Sequence, residues 1–231
     1  MGCVVVHFFA QRFAVRLTCS SLHLVVVGKH TAYYRTNHVP LIFVPSWSSS
    51  SSSSSSSGVS ALVSGGPSRA YAELTDVYPT LAQLAGIPVP PTCADANASA
   101  SSAACVEGHS LAPLVLGDRQ AKAAFVGKKA SFWQWSKMMI EKQPVMGYAM
   151  ATTTADGTDV RYTEWVGYDF KRFEANFSEV HGVELYNLTS DLQESTNLAV
   201  TRAGDPVIEQ LRQQLHAQLI AGWRAALPPA Q

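Results

Sequence analysis

The sequence lacks an excess of charge of either sign and any long apolar run. Its 231 residues carry 17 basic and 17 acidic side chains, which gives a formal net charge of zero. A protein that neutralises phosphates needs a basic surplus, so this balance argues against a nucleic-acid-binding protein. No apolar stretch reaches the roughly 18 residues of a membrane-spanning helix, and no such span is predicted.

Motifs that would identify a catalytic or metal site are also missing. No Gly-x-Ser-x-Gly elbow, phosphate-binding loop or His-Glu-x-x-His motif occurs. The four cysteines form no Cys-x-x-Cys pair, which argues against a structural zinc site. The ten consecutive serines of Ser48–Ser57 have no fixed base beside them, and they predict a solvated loop rather than a set of nucleophiles.

Apolar residues make up 47% of the chain, and their spacing predicts where a core would form. Two short apolar runs, Leu22–Val27 and Leu41–Val44, are typical of buried strands. Residues 71–85 have helical spacing and end at Gly86, and Pro79 is expected to end or kink the first turns.

The last third of the chain predicts a small sheet and a helix. Residues 145–154 and 159–166 flank Ala-Asp-Gly-Thr, a hairpin signal, and Val183–Leu188 gives a third strand. Asp205-Pro206 opens a helix, with the aspartate as its cap. The apolar stripe of this helix comprises Val207, Leu211, Leu215, Leu219 and Trp223. Antiparallel strands backed by a terminal amphipathic helix form an α+β unit.

Cysteines and glycosylation sequons point towards the secretory pathway. Cys93 and Cys105 flank a small polar loop of the kind that a disulfide closes; the alternative is two free buried thiols. Three Asn-x-Ser/Thr sequons begin at Asn97, Asn176 and Asn187. Each sequon is weak by itself, but together with the cysteine pair they favour a secreted-type protein.

Four segments, in the same order, resemble the sulfatase family of the alkaline-phosphatase-like superfamily. The last of them matches the pattern E-L-Y-D-L-x-x-D-P-x-E-x-x-N-L-A closely. The segments are Gly28–Thr31 with Val39–Phe43, Glu73–Pro90, Glu107–Leu114 and Glu184–Ala199. Shorter stretches match the members of the family that act on sulfated uronic acids; they are His38–Phe43, Val89–Cys93, Met146–Tyr148 and Arg161–Gly167 running on to Ala175–Ser178.

The resemblance implies a fold and a division of the chain. The expected fold is a remnant of the family's α/β domain, followed by an α+β C-terminal subdomain with a small antiparallel sheet and a terminal helix. The expected segments are an atypical N-terminal stretch, the remnant of the catalytic α/β domain, a Ser/Gly-rich loop, a region with a helix and the disulfide loop, and the sheet-and-helix subdomain. They span 1–27, 28–47, 48–70, 71–144 and 145–231.

The family's reaction implies parts that the sequence does not contain. Members hydrolyse sulfate esters with a formylglycine made from the cysteine of a C-x-P-S-R motif, and carboxylates with a D-H-G segment hold calcium. No C-x-P-S-R occurs, and residues 16–27, where D-H-G would fall, contain no carboxylate. The sequence therefore predicts no catalytic nucleophile and no metal ligands here. It predicts a C-terminal portion, inactive by itself, that contains no formylglycine and binds no calcium.

The resemblance carries specific roles over to a few positions. Lys29 matches the family lysine that contacts the substrate sulfate, with an ordinary surface lysine as the alternative. Lys137 resembles a lysine near the uronate carboxylate; the alternative is a solvated lysine beside core tryptophans Trp133 and Trp135. The cysteine of Val89–Cys93 is disulfide-bonded in the family, which supports the Cys93–Cys105 bridge, and Asn176 matches a glycosylated asparagine. Trp165 and Tyr186 are predicted to be core aromatics.

The resemblance thus implies a sulfuric ester hydrolase of lysosomal or secreted type that acts on sulfated uronic acids of polysaccharide. Its partners would be the sulfated saccharide and a catalytic N-terminal portion that this sequence lacks. The alternative is a non-catalytic glycoprotein or pseudoenzyme that binds sulfated glycans, with Lys29 and Lys137 as anion contacts only. A phosphate or phosphonate ester hydrolase of the same superfamily fits less well.

Overall fold

The computed structural model describes a small antiparallel sheet with helices packed around it. It describes residues 31–43, 66–93, 105–116, 119–139 and 141–228. The predicted strand Leu22–Val27 and the serine run lie outside these described residues.

Four strands form one sheet in the order β1-β2-β3-β4, with every neighbouring pair antiparallel. Their bounds are Ala130–Ser136, Val145–Thr153, Asp159–Asp169 and Glu174–Asn187. The predicted hairpin between β2 and β3 is confirmed. Gly157 supplies a φ of 84° in its turn, which any residue with a Cβ adopts at a cost.

The sheet is larger than the sequence predicts. The expected third strand is the second half of the 14-residue β4, which pairs with β3 through an irregular register between Trp165 and Gly167. Strand β1 is not among the predicted strands, and it lies inside the 71–144 segment, for which a helix and the disulfide loop are predicted. Its half-buried tryptophans interrupt the alternation of apolar and polar residues by which a strand is recognised.

Helix α6, Pro206–Ala226, covers one face of the sheet as predicted. The Asp205 carboxylate accepts the amide hydrogen of Val207 at 2.9 Å and caps the helix. The core joins its buried face to alternate strand residues; it comprises Met150, Val160, Tyr162, Leu185, Ala199, Ile208, Leu215 and Leu219. The predicted stripe is wrong at its start, because Val207 is 68% exposed and Ile208, three residues before Leu211, is buried instead.

The predicted helix at 71–85 is a 3-10 turn, Leu74–Asp76, followed by α2, Val77–Leu84. Pro79 lies in the first turn of α2, where its missing amide donor leaves no intrahelical bond unmade. Gly86, with a φ of 69°, follows the end of the helix as expected.

The short helices surround this core. They are α1, Tyr34–Asn37; α3, Ala112–Leu116; α4, Arg119–Ala124; and α5, Leu198–Thr201. Over its described part, Leu41–Phe43, the predicted strand Leu41–Val44 is wrong, since those residues form no strand and Ile42 is 64% exposed. Pro40 has no amide hydrogen to donate to a ladder there. The architecture of the described residues is therefore α+β, and they show no α/β layer. None of their helices combines the length and apolar character needed to cross a membrane.

Candidate functional site

The sheet face opposite α6 carries a row of polar and aromatic side chains, here called the outer face. Successive strand residues point to opposite faces, so Arg161, Thr163 and Trp165 of β3 lie on the outer face when Val160 and Tyr162 point to α6. Their direct neighbours on β4 are Tyr186, Glu184 and Gly182, and Gly147 on β2 lies beside Trp165.

The chain segment around α1 covers one end of the outer face. The Trp133 indole donates to the carbonyl of Ala32 at 2.9 Å, and the Tyr34 amide donates to the Glu194 carboxylate at 2.8 Å. The Tyr33 ring lies 5.5 Å from the Arg161 guanidinium. This segment therefore closes the Arg161 end of the face, while the Trp165 end carries the cleft described below.

Arg161 is the buried centre of the outer face, with none of its surface exposed. Its guanidinium donates to Glu184 at 2.7 Å and to Thr163 at 2.5 Å, pairs with Glu194, and lies 4.7 Å from the Tyr186 ring. One cation thus serves two carboxylates. Burial raises the pKa of Glu194 above its usual value although Arg161 opposes the shift.

Trp165 lies on a seat made by two glycines, one on each neighbouring strand. A Cβ at Gly147 would come within 2.7 Å of the indole's six-membered ring, so only glycine leaves room for the ring there. A Cβ at Gly182 would make an ordinary contact of 3.7 Å. The Trp165 indole donates to Glu184 at 2.8 Å, and Glu184 in turn is held by Arg161. Backbone and ion pair together fix this ring.

A cleft of about 210 Å³ opens beside Trp165. The side chains that give it chemical character are Lys137, Gln143, Trp165, His181 and Glu184. The Lys137 ammonium lies over the Trp165 ring, 4.8 Å from its centroid, and 3.4 Å from the Glu141 carboxylate. Both contacts are of the weak, solvent-exposed kind, worth roughly 1 kcal/mol or less each. The contacts of Lys137 are therefore weak ones.

This arrangement suits binding more than bond breaking. An aromatic ring offers an apolar surface, and a lightly paired ammonium offers a positive charge to an anion. Glu184 has both carboxylate oxygens engaged, and the imidazole of His181 lies 3.1 Å from Glu179. Trp165 was predicted to be a core aromatic; instead it is half-buried and lines the cleft, whereas Tyr186 is buried as predicted. Its two glycine neighbours lie on other strands, so no local pattern marks this role.

A second buried ion cluster ties α2 to β1, and sequence reasoning missed it. The Lys128 ammonium is 2% exposed and lies between the carboxylates of Glu73 and Asp76. Glu73 also accepts the amide hydrogen of Phe132 at 2.8 Å, and Asp76 accepts that of His109 at 2.7 Å. These contacts dock the matched segments of the 71–116 region on the sheet. Their role is structural.

The remaining predicted site residues have different outcomes. Lys29 and Asn97 lie outside the described residues. The Cys93–Cys105 disulfide is present, and Thr92 and Val106 pair beside it in a short parallel bridge. The Asn176 side chain is exposed and accepts the Ser178 hydroxyl hydrogen at 2.6 Å.

The sequon at Asn187 is less open. Asn187 is partly buried at the end of β4, where its carboxamide oxygen accepts two amide hydrogens from the following turn. A glycan is therefore accommodated more easily at Asn176.

Calcium, which the resemblance implies for the family, does not fit the described carboxylate clusters. The carboxylates that come together at Lys128 already share an ammonium, and those at Arg161 share a guanidinium. Within the described residues, no group of three or more His, Cys, Asp or Glu side chains is arranged to hold a metal ion. No step of the chemistry is therefore assigned to a metal held by these residues.

Comparison with known proteins relates the chain to iduronate 2-sulfatase. It is 31% identical over 205 residues to the human protein of that name, in an alignment that covers 77% of this chain and 36% of the human protein. It is 37% identical over 141 residues to the mouse protein, in an alignment that covers 54% of this chain and 24% of the mouse protein. The chain thus spans about a third or less of the length of the relatives it matches. No protein-family profile matches it. The predicted resemblance to a C-terminal portion of a sulfatase is confirmed.

Proposed function

We propose, from this resemblance to the sulfatase family, that the chain holds the saccharide for hydrolysis of sulfate esters on sulfated uronic acids. The observation that supports the proposal is the cleft at Lys137 and Trp165, in a chain that resembles iduronate 2-sulfatase over 205 residues. A sulfated uronate carries two anionic groups on an otherwise neutral ring. A cleft with a weakly paired ammonium and an aromatic surface is complementary to such a ligand.

The residues of the cleft have different roles in the proposed binding. Lys137 is proposed to bind the carboxylate or sulfate of the sugar as a point charge. Glu184 keeps the Trp165 ring in place through its 2.8 Å hydrogen bond, and Arg161 keeps Glu184 in place. Lys29, outside the described residues, is proposed to contact the sulfate.

The chain by itself is proposed to bind the saccharide without cutting it. The sequence contains no C-x-P-S-R cysteine that could become formylglycine, and the described carboxylate clusters do not fit calcium. The nucleophile and the metal would come from a catalytic portion outside these 231 residues. The same absence supports the second candidate, a non-catalytic glycoprotein or pseudoenzyme that binds sulfated glycans.

A turnover assay tests the proposal. The purified chain is incubated with a sulfated uronate disaccharide, and the free sulfate is quantified. We expect no sulfate above the buffer control. Sulfate release that disappears in Lys137→Gln but persists in Lys129→Gln, at the far end of β1, would contradict the claim that the chain cannot cut. Reading the transcript upstream of Met1 separates the two candidates, because only the enzyme reading requires a frame that encodes C-x-P-S-R.

A secretory route, to the lysosome or the cell exterior, is proposed with this function. The disulfide and the exposed Asn176 sequon support it, since both chemistries belong to that route. Digestion with an N-glycosidase after expression in animal cells tests it. A mass loss that Asn176→Gln abolishes is expected, and an unchanged mass would contradict the proposed glycan.

A further inference from the structure

Trp165 is the most unusual side chain of the outer face, because the sheet is built to leave its ring in place at the cleft. In one row across the sheet, Trp135, Gly147, Trp165 and Gly182 occupy neighbouring strands, so large and minimal side chains alternate. The ring lies against the Gly147 backbone, and its indole nitrogen is fixed by Glu184. A core tryptophan would need neither a glycine seat nor a position at a cleft.

The position of Lys137 over the ring suggests how the ring is used. The ammonium contributes a cation–π contact at 4.8 Å and a surface ion pair at 3.4 Å, and the Lys137 side chain is 30% exposed. Both contacts are weak and screened by solvent, so they do not compete with a desolvated anion that accepts hydrogen bonds from the ammonium. Departure of the ammonium would leave the ring surface to the ligand.

We propose that Trp165 is the stacking surface for the sugar ring of the ligand, and that Lys137 moves from this ring to the sugar's anionic group on binding. This inference rests on the proposed function and adds to it the residue that recognises the ring itself. Gly147 is then a specificity-determining position, because it sets where the ring lies without touching the ligand through a side chain. Apolar faces of sugar rings pack on indole rings, while hydroxyls and anions reach the polar rim of the cleft.

Gly147 in the cleft and Gly66 outside it provide a matched pair of variants. Gly147→Ala places a methyl group within 2.7–3.0 Å of the Trp165 ring, so the ring must move. Gly66→Ala makes the same chemical change outside the strands, where no heavy atom lies within 4 Å of the added methyl group. Neither glycine has a positive φ, so the substitutions introduce no backbone strain.

The experiment follows the indole N–H signals of the full chain by NMR during titration with a heparin-derived disaccharide that carries a uronate carboxylate and one sulfate. The Trp165 signal, assigned with Trp165→Phe, is expected to shift to saturation. The signal of Trp223, on α6 beyond the other sheet face, is expected to stay still. Affinity, measured by calorimetry, is expected to fall about tenfold in Trp165→Phe and in Gly147→Ala and to change less than twofold in Gly66→Ala.

Lys137 is tested with modified ligands. Carboxyl-reduced and desulfated disaccharides show which anion the ammonium binds, and Lys137→Gln is expected to abolish the preference for that anion. Lys129→Gln removes the same charge about 25 Å away, at the other end of β1, and is expected to leave affinity unchanged.

The outcomes separate the inference from the proposed function. If the wild-type chain binds the disaccharide while the Trp165 signal stays still and both Trp165→Phe and Gly147→Ala bind normally, the inference is overturned and the proposed function stands. If the wild-type chain binds no form of the disaccharide, the proposed function is overturned and the inference falls with it.

Discussion

Replacing the buried Arg161 with methionine tests whether the outer face depends on one ion network. Methionine keeps most of the side-chain volume but leaves two carboxylates without their cation. The Glu194 side chain is 1% exposed and the Glu184 side chain 24% exposed, so water compensates little at the first of them. Removing one partner of a buried ion pair costs about 3–5 kcal/mol, because the remaining charge stays buried.

This loss is measured by urea unfolding at pH 7, followed by far-ultraviolet circular dichroism. With a dependence on urea of about 2 kcal/mol per M, the midpoint is expected to fall by about 2 M. Arg172→Met is the matched control, since its guanidinium is exposed and lies 4.0 Å from Asp169. That surface pair is worth about 0–1 kcal/mol, and its loss is expected to move the midpoint by less than about 0.5 M.

A double variant checks the cause. Adding Glu194→Gln to Arg161→Met removes the unpaired buried charge and is expected to restore about 1–3 kcal/mol of the loss. If Arg161→Met costs less than about 1 kcal/mol, or if the double variant is no more stable than the single one, the network does not stabilise this face and the reasoning is refuted.

Three further predictions concern the rest of the described structure. Lys128→Met leaves the buried Asp76 carboxylate and the half-buried Glu73 carboxylate without their cation and is expected to cost about 3–5 kcal/mol in urea unfolding, whereas a loss under 1 kcal/mol would show that the cluster is not structural. The Cys93–Cys105 bond joins two residues 12 positions apart in the sequence. Reducing it is expected to lower the free energy of unfolding by about 3 kcal/mol, and an unchanged melting temperature of the reduced chain would refute this. The pKa of Glu194 is raised in the folded chain, so its contribution to stability is full below about pH 4.5 and lost as pH rises through the folded pKa. The stability of wild type relative to Glu194→Gln is therefore expected to fall from pH 4 to pH 7, and a difference that is flat or rises with pH would contradict it.

Local signals in the sequence predicted the parts of the fold that depend on neighbouring residues. The Asp-Gly turn defined the β2–β3 hairpin, and Asp205-Pro206 defined the start of α6. Both signals act within a few residues, where backbone preferences and caps decide the structure. The Cys93–Cys105 disulfide is also present as predicted; its prediction rests on the small polar loop between the two cysteines and on the resemblance to the sulfatase family.

The parts that sequence reasoning missed depend on contacts between distant segments. Arginine side chains are usually exposed, but Glu194, 33 residues later in the sequence, makes the burial of Arg161 possible. Lys128 is likewise buried because it pairs with Glu73, which is 55 residues away in the sequence. Trp165 reads as a core residue because the sequence does not show that Gly147 and Gly182 flank it. Polar side chains are buried only when partners are present, and long-range pairing supplies the partners.

Equilibrium dialysis of the full chain against a sulfated uronate disaccharide, with bound saccharide and free sulfate quantified in the same samples, tests the central claim most directly. The account predicts saturable binding that Lys137→Gln weakens about tenfold, with no sulfate beyond that in protein-free chambers. Saccharide found equally on both sides of the membrane, or sulfate accumulating with time, would contradict it.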